Sequence, residues 1–174
     1  MSRAAPARWK IVLAGVGVAA LGSLAFAAYG GIGNGTPTQR VKAWVSGSGL
    51  GQSIGTVVGD AARVRLAMDE HKSVGVLHTD CGVLLTDAQS ANGELPTPDT
   101  QLTDLLSSGY ALAYDSGTDC YNSGGTNTKL LEKATKERIE AEAKLQQATN
   151  LVGQLTGQTL STTTTTQPDD GALG

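Results

Sequence analysis

Two cysteines and two histidines are all that the 174-residue chain offers of the side chains that most often bind metals or act as nucleophile and base. His71, His78, Cys81 and Cys120 are the four candidates for a tetrahedral zinc site, and their spacing matches no standard finger. A Cys81–His78 nucleophilic pair is disfavoured because Cys81 falls on an apolar stripe, where an inert buried sulfur is usual. Acid pairs such as Asp80 with Asp87 or Asp99 with Asp104 lack the defined facing across a cleft that glycoside hydrolysis needs. Asp115 to Asp119 with Asn122 lacks the ligand spacing of a calcium loop. Gly49-Leu50-Gly51 follows no strand and precedes no suitably placed acidic residue, which excludes a dinucleotide loop. The expectation is a protein with no cofactor, no metal and no enzymatic activity.

Strands and positive charge are also scarce. Beyond residue 36 no stretch alternates apolar and polar side chains over a strand's length, so an all-α domain is expected. Three of the 13 bases precede residue 11, which leaves ten against 16 acids, a charge of −6 over the rest of the chain. Nucleic acid is therefore a poor partner. Nine carboxylates lie between Asp69 and Asp119 with a single Lys72, and the default reading of that imbalance is a solvated face.

What the chain has in quantity is small and aliphatic residues. Residues 11–32 are an almost unbroken run of Ile, Val, Leu, Ala and Gly behind Arg3, Arg8 and Lys10. About 20 such residues cover the hydrocarbon thickness of a bilayer. The expected layout is a cytoplasmic basic stretch over 1–10, a transmembrane anchor or signal sequence over 11–32, and export of the chain beyond it. Cleavage and secretion after Ala25-Phe26-Ala27 is the alternative, disfavoured because the run stays apolar past that site. No lipidation cysteine comes after the run. Gly15, Ala19, Ser23 and Ala27 recur every fourth residue, as in membrane helices that approach closely, although small residues fill every face of the segment.

The remainder divides into a helical bundle over 36–157 and a Thr-rich tail over 158–174, whose composition predicts disorder. Thr36-Pro37 opens a helix with an N-cap and a proline at its first position. Leu50, Ile54, Val57, Ala61, Val64 and Met68 form one stripe, and Gly47, Gly51, Gly55 and Gly59 are spaced by one turn on the same helix. Either these glycines admit a close neighbour, or the helix is frayed or kinked near residues 46–51. Ser73 caps a second helix with Val74, Leu77, Cys81, Leu84, Ala88 and Ala91 inward. Thr97-Pro98-Asp99 opens a third, through Leu102, Leu105, Leu106, Gly109, Leu112 and Ala113, stopped by Gly117 and the cluster after Tyr121. A fourth runs from about residue 126 or 128 to 155, its seam interrupted by Arg138, with Glu132–Lys136 and Glu140–Lys144 as outer pairs. Four consecutive antiparallel helices result. The Ala-rich end of the last would then lie beside the Gly-rich start of the first.

Export favours a Cys81–Cys120 disulfide. In a simple hairpin closing near Leu95 the two cysteines would stand far apart. A chain that turns back at Ser116-Gly117 is the preferred way to bring them together, and steep crossing is the other. Leu77-His78-Thr79-Asp80-Cys81, Leu95-Pro96-Thr97-Pro98-Asp99 and Thr118-Asp119-Cys120 resemble a pattern found in uncharacterised exported helical proteins of actinobacterial type. That resemblance covers the central third of the chain. It implies a helical domain with paired cysteines, and no activity, substrate or catalytic residue.

The functional expectation is a membrane-anchored, extracytoplasmic interaction or structural module at the cell envelope. Its partners would be the membrane through residues 11–32, an envelope protein, and a second copy through small-residue helix faces. Two other readings are an extracytoplasmic domain for a small, cationic ligand lined by Tyr110, Tyr114 and the acidic middle segment, and an envelope hydrolase. A tyrosine pair one turn apart is also ordinary packing.

Overall fold

The computed structural model describes residues 35–161. They form five helices: α1 (Pro37–Ser48), α2 (Leu50–Asp69), α3 (Val74–Asn92), α4 (Thr100–Asn122) and α5 (Thr128–Thr156). Thr36 caps α1 in a reciprocal box, its hydroxyl accepting from the Gln39 backbone while the Gln39 side chain accepts from the Thr36 N–H. Ser73, Asp99 and Asn127 cap α3, α4 and α5 in the same sense, each accepting from a backbone N–H three residues on. α4 thus starts at its aspartate cap rather than at the Thr97-Pro98 expected to open it.

The expected four helices become five because the first is divided. Gly49 has φ of 66° and serves as the last cap of α1 and the first of α2. A residue with a Cβ is strained in that left-handed conformation, and a helix cannot run through it. Of the glycines assigned to one helix, Gly47 therefore belongs to α1 and Gly51, Gly55 and Gly59 to α2.

The membrane expectation is also corrected. Among the described residues no helix is long and apolar enough to cross a membrane. On α2, Asp60, Arg63, Arg65 and Asp69 interrupt any continuous greasy surface. The anchor placed on 11–32 lies outside the described residues, as do the cleavage site and the small-residue face. Single-pass topology, an envelope location, a membrane partner and a second copy thus find no support. The described chain is an all-α domain closed by a disulfide.

Helices α2 to α5 run up and down in sequence. α4 is central, packed along both α3 and α5; α2 lies on α3, and α5 meets α1 and α2. The core is largely aliphatic, with Leu84, Leu102, Leu106, Leu145, Ala148 and Val152 almost inaccessible, and Val41 and Trp44 of α1 closing one side. Val74, expected on the inward stripe of α3, is half exposed. Arg138 is buried in the α5 seam, where the sequence places it, and its guanidinium reaches Glu142 at 2.7 Å. The outer pairs along α5 include Lys133–Glu137 and Lys136–Glu140, with the base ahead of the acid. Gly157, again left-handed, ends α5. Residues 158–161 then continue with Leu160 packed on the core, so the first part of the Thr-rich tail is ordered. Its remainder, 162–174, lies outside the described residues.

Cys81 and Cys120 are joined, with Cα atoms 5.7 Å apart. The chain does not turn back at Gly117 to achieve this, and α4 is unbroken through that residue. The offset is absorbed before α4 begins. The segment after α3 folds alongside the new helix, the Thr97 N–H donating to the Thr103 hydroxyl at 2.9 Å. α4 consequently starts beyond the end of α3, and Asn92 comes level with Tyr110 on one face of the pair. Gly117 makes the approach possible, since a Cβ there would stand 2.7 Å from the Leu85 backbone nitrogen and 3.0 Å from the Cys81 carbonyl oxygen. Gly117→Ala is expected to destabilise the domain by about 1 to 3 kcal/mol, because backbone rather than a flexible side chain must move. A denaturant melt with an unchanged midpoint would show that the two helices are less tightly apposed.

Candidate site in the cleft between α2 and α3

Asp60 lies on the buried arc of α2, between Val57 and Val64, and is 2% exposed. One carboxylate oxygen, Oδ1, takes an ion pair from Arg63 one turn on; Arg63 is itself two-fifths exposed, so water shares that pairing. The other oxygen, Oδ2, is buried and receives no hydrogen bond. Asp87 of α3 stands beside this carboxyl group, and two ionised carboxylates cannot satisfy each other. Burial is the largest cause raising the pKa of Asp60, followed by hydrogen bonding to Asp87. The Arg63 charge opposes them, the charges of Asp87 and Asp80 add to them, and the carboxyl is pushed up to about 7.

Asp87 also lines a cleft of about 290 Å³ that runs from this pair toward the start of α2. Its far end is marked by Glu94, whose carboxylate accepts from the Ser53 hydroxyl of α2 at 2.9 Å. Thr56, Ser90 and Ala91 lie between the two ends. Among the described residues no lysine or arginine lines the cleft. Its walls therefore offer carboxylates and hydroxyls to a ligand, and its field favours positive charge. The antiparallel register of α2 and α3 creates it by placing Asp60 opposite Asp87 and Ser53 opposite Glu94.

The residues singled out from the sequence fall elsewhere. Tyr110 is 1% exposed and Tyr114 is 38% exposed. Both border a shallow pocket of about 260 Å³ on the α3–α4 face, together with Asp115. The Tyr110 hydroxyl is buried without a hydrogen bond, and burial, then the charge of Glu94, raise its pKa above the usual phenol value. Its ring belongs to the core. Gly55 and Gly59 are buried on α2. Gly55 borders a groove of about 910 Å³ between α2 and α5, lined also by Ile54, Leu145 and Leu160. The Ala-rich end of α5 therefore stands off from α2 at that level. At Gly51 a Cβ would meet the Ser161 carbonyl at 3.0 Å, so the close neighbour there is the segment after α5. On α4 a Cβ at Gly109 would stand 2.8 Å from Leu145, a second tight approach besides Gly117.

The cysteines are consumed by their bond, and His78 lies against the ring of Tyr121 with centroids 3.5 Å apart. Among the described residues no group of three or more His, Cys, Asp or Glu side chains is arranged to hold a metal ion. Asp60 was missed in the sequence because it lies outside the acid-rich window and one position before Ala61, the stripe residue. A carboxylate three residues after Val57 and four before Val64 was the available signal.

The fold and the cleft define a disulfide-closed all-α domain with a carboxylate-lined crevice between adjacent helices. Comparison with protein families, with curated proteins and with solved structures gives no match.

Proposed function

We propose that the domain binds a cationic ligand in the α2–α3 cleft and acts by binding rather than catalysis. The observation that carries this reading is Asp60, a carboxylate buried against a second carboxylate with one oxygen lacking any donor. Such a pair is satisfied either by a shared proton or by a positive group that donates to both oxygens. The cleft opens from Asp87 and is lined by no basic side chain among the described residues. Binding rather than catalysis is supported by the state of the cysteines and His78, which are taken up by the disulfide and by stacking on Tyr121.

The test is the melting temperature of the full chain in millimolar butylammonium at a pH above about 8, where Asp60 is ionised. A ligand at a hundred times its dissociation constant adds about 2.7 kcal/mol, so a rise of several degrees is expected. Asp87→Asn should suppress it while leaving the helical circular dichroism unchanged. Failure of any alkylammonium to move the transition would overturn the reading.

A further inference from the structure

The groove between α2 and α5 is approached by the chain itself. Along α5 it extends from Gln154 to Glu142, three turns and a little more, or about 18 Å. Its floor is apolar, built from Ile54 and Val58 of α2 and Leu145 of α5. The α5 wall carries the exposed amides of Gln146, Asn150 and Gln154 at four-residue spacing, on one face of the helix. Gln146 donates to Asn150 at 3.1 Å, and each amide keeps capacity for further bonds. At Gly153 the wall has no side chain, and a Cβ there would meet nothing nearer than the Gln158 carbonyl oxygen at 3.7 Å.

The chain leaves α5 at the left-handed Gly157 and turns to this groove, where Thr159 and Leu160 join its lining. The Ser161 carbonyl then stands against Gly51 of α2. Thr159 and Ser161 are exposed while Leu160 packs on the core, the alternation of an extended segment. From this placement we infer that the run Thr162 to Thr166 continues the segment along the groove, so that the groove's occupant is the chain's own threonine run. Five consecutive threonines at about 3.3 Å each span about 16 Å, close to the length of the α5 wall. Their branched side chains favour extended backbone, and Pro168 opposes a helix running back through Gln167. Continued alternation from Leu160 sets Thr162, Thr164 and Thr166 toward the floor, their methyl groups over Val58 and Leu145, and turns Thr163 and Thr165 outward. Every second peptide group recurs at about 6.6 Å along such a segment, close to the rise of about 6 Å between the wall amides, which can therefore pair with successive peptide groups. The run is too polar to build a core of its own, and the groove supplies the apolar surface it lacks. Tethering at Ser161 presents the run at an effective concentration on the order of millimolar, an advantage over any free peptide. The inference is independent of the α2–α3 cleft.

Nuclear magnetic resonance of the full chain tests it. The amides of Thr163, Thr164 and Thr165 should show order parameters of about 0.8 or more, as in rigid backbone. Methyl contacts should join Thr164 to Val58 or Leu145. Thr164→Glu places a charge against the apolar floor and should lower the order parameters of the run to below about 0.6 and abolish those contacts, whereas the outward Thr165→Glu should preserve both. Each substitution lies beyond the last helix and leaves the helical circular dichroism unchanged. Wild-type order parameters below about 0.6 overturn the inference without recourse to any variant. Equal effects of Thr164→Glu and Thr165→Glu overturn the alternation on which it is built. In a mixture of isotope-labelled and unlabelled chains, methyl contacts that arise between copies would show that the groove receives another chain's run, and would overturn the intramolecular assignment.

Discussion

Loss of the Cys81–Cys120 bond is expected to lower the stability of the domain by about 3 to 4 kcal/mol, the value the chain-entropy model assigns to a loop of this size. The two cysteines are 39 positions apart. They tie the first half of α3 to the last turns of α4, so the loop they close contains the whole connection between those helices. In the unfolded chain that tether removes a large set of conformations, and cutting it returns them. Both residues are almost wholly inaccessible, at 0% and 1% exposure. A Cys81→Ala/Cys120→Ala variant would therefore add a small packing loss to the tether term. Urea melts of the reduced wild type and of the double variant separate the two contributions. For a domain with an ordinary stability of about 5 to 15 kcal/mol the expected change is a large fraction. A reduced protein whose midpoint stays within the error of the oxidised one would show that α3 and α4 are held by Gly117 and the core alone.

That register illustrates what the sequence makes legible. Caps at Thr36 and Ser73, the stop at Asn92-Gly93 and, from Leu77 onward, the four-three rhythm of α3 are local features, and each is found where local chemistry puts it. The pairing of the cysteines was also readable. Their alignment was not, because it depends on how the chain between Gly93 and Asp99 folds back on Thr103, a contact that no periodicity encodes. Gly117 looked like a stop and is instead a point of contact, since a helical glycine reads the same whether it ends a helix or admits a neighbour. Gly49 is the reverse case. The sequence leaves a kink near residues 46–51 open beside close packing, and the left-handed backbone of Gly49 shows that one helix ends and the next begins there.

The candidate cleft was less legible still. Asp87 and Glu94 were visible within an acid-rich window, and such windows usually describe a wet face. Their significance arises from α2, which sets Asp60 and Ser53 opposite them. A pairing between helices whose offset is fixed by the 70–73 turn has no one-dimensional signature. Tyr110 and Tyr114 attracted attention because aromatic pairs are conspicuous in a chain with few aromatics, yet the first is a core residue and only the second reaches solvent.

Asp60 carries the largest expected dependence on pH. Its carboxyl titrates at about 7 in the folded domain against an ordinary 3.8. Between those two values the folded state holds a proton that the unfolded state has released, so stability falls as pH rises. The contribution is fully present below the ordinary value and is lost above about 7. A shift of about three units, in which the opposing Arg63 charge is already included, corresponds to about 4 kcal/mol as an upper bound. The wild type should therefore melt at a higher temperature near about pH 5 than near about pH 8.5, by several degrees, since about two of the three units of the shift fall inside that range. Asp60→Asn supplies from its amide the donor that the shared proton provides, so it should remove most of this slope and exceed the wild type in alkaline solution. The difference between wild type and variant across the range isolates this group from every other titration. A cationic ligand adds a second test of the same chemistry: it competes with the proton for the oxygen pair, so its affinity should fall between alkaline and acidic solution and protons should be released on binding. Parallel pH profiles for wild type and Asp60→Asn would mean that the Asp60–Asp87 pair never shares a proton, and the ligand would then have to be sought away from this pair.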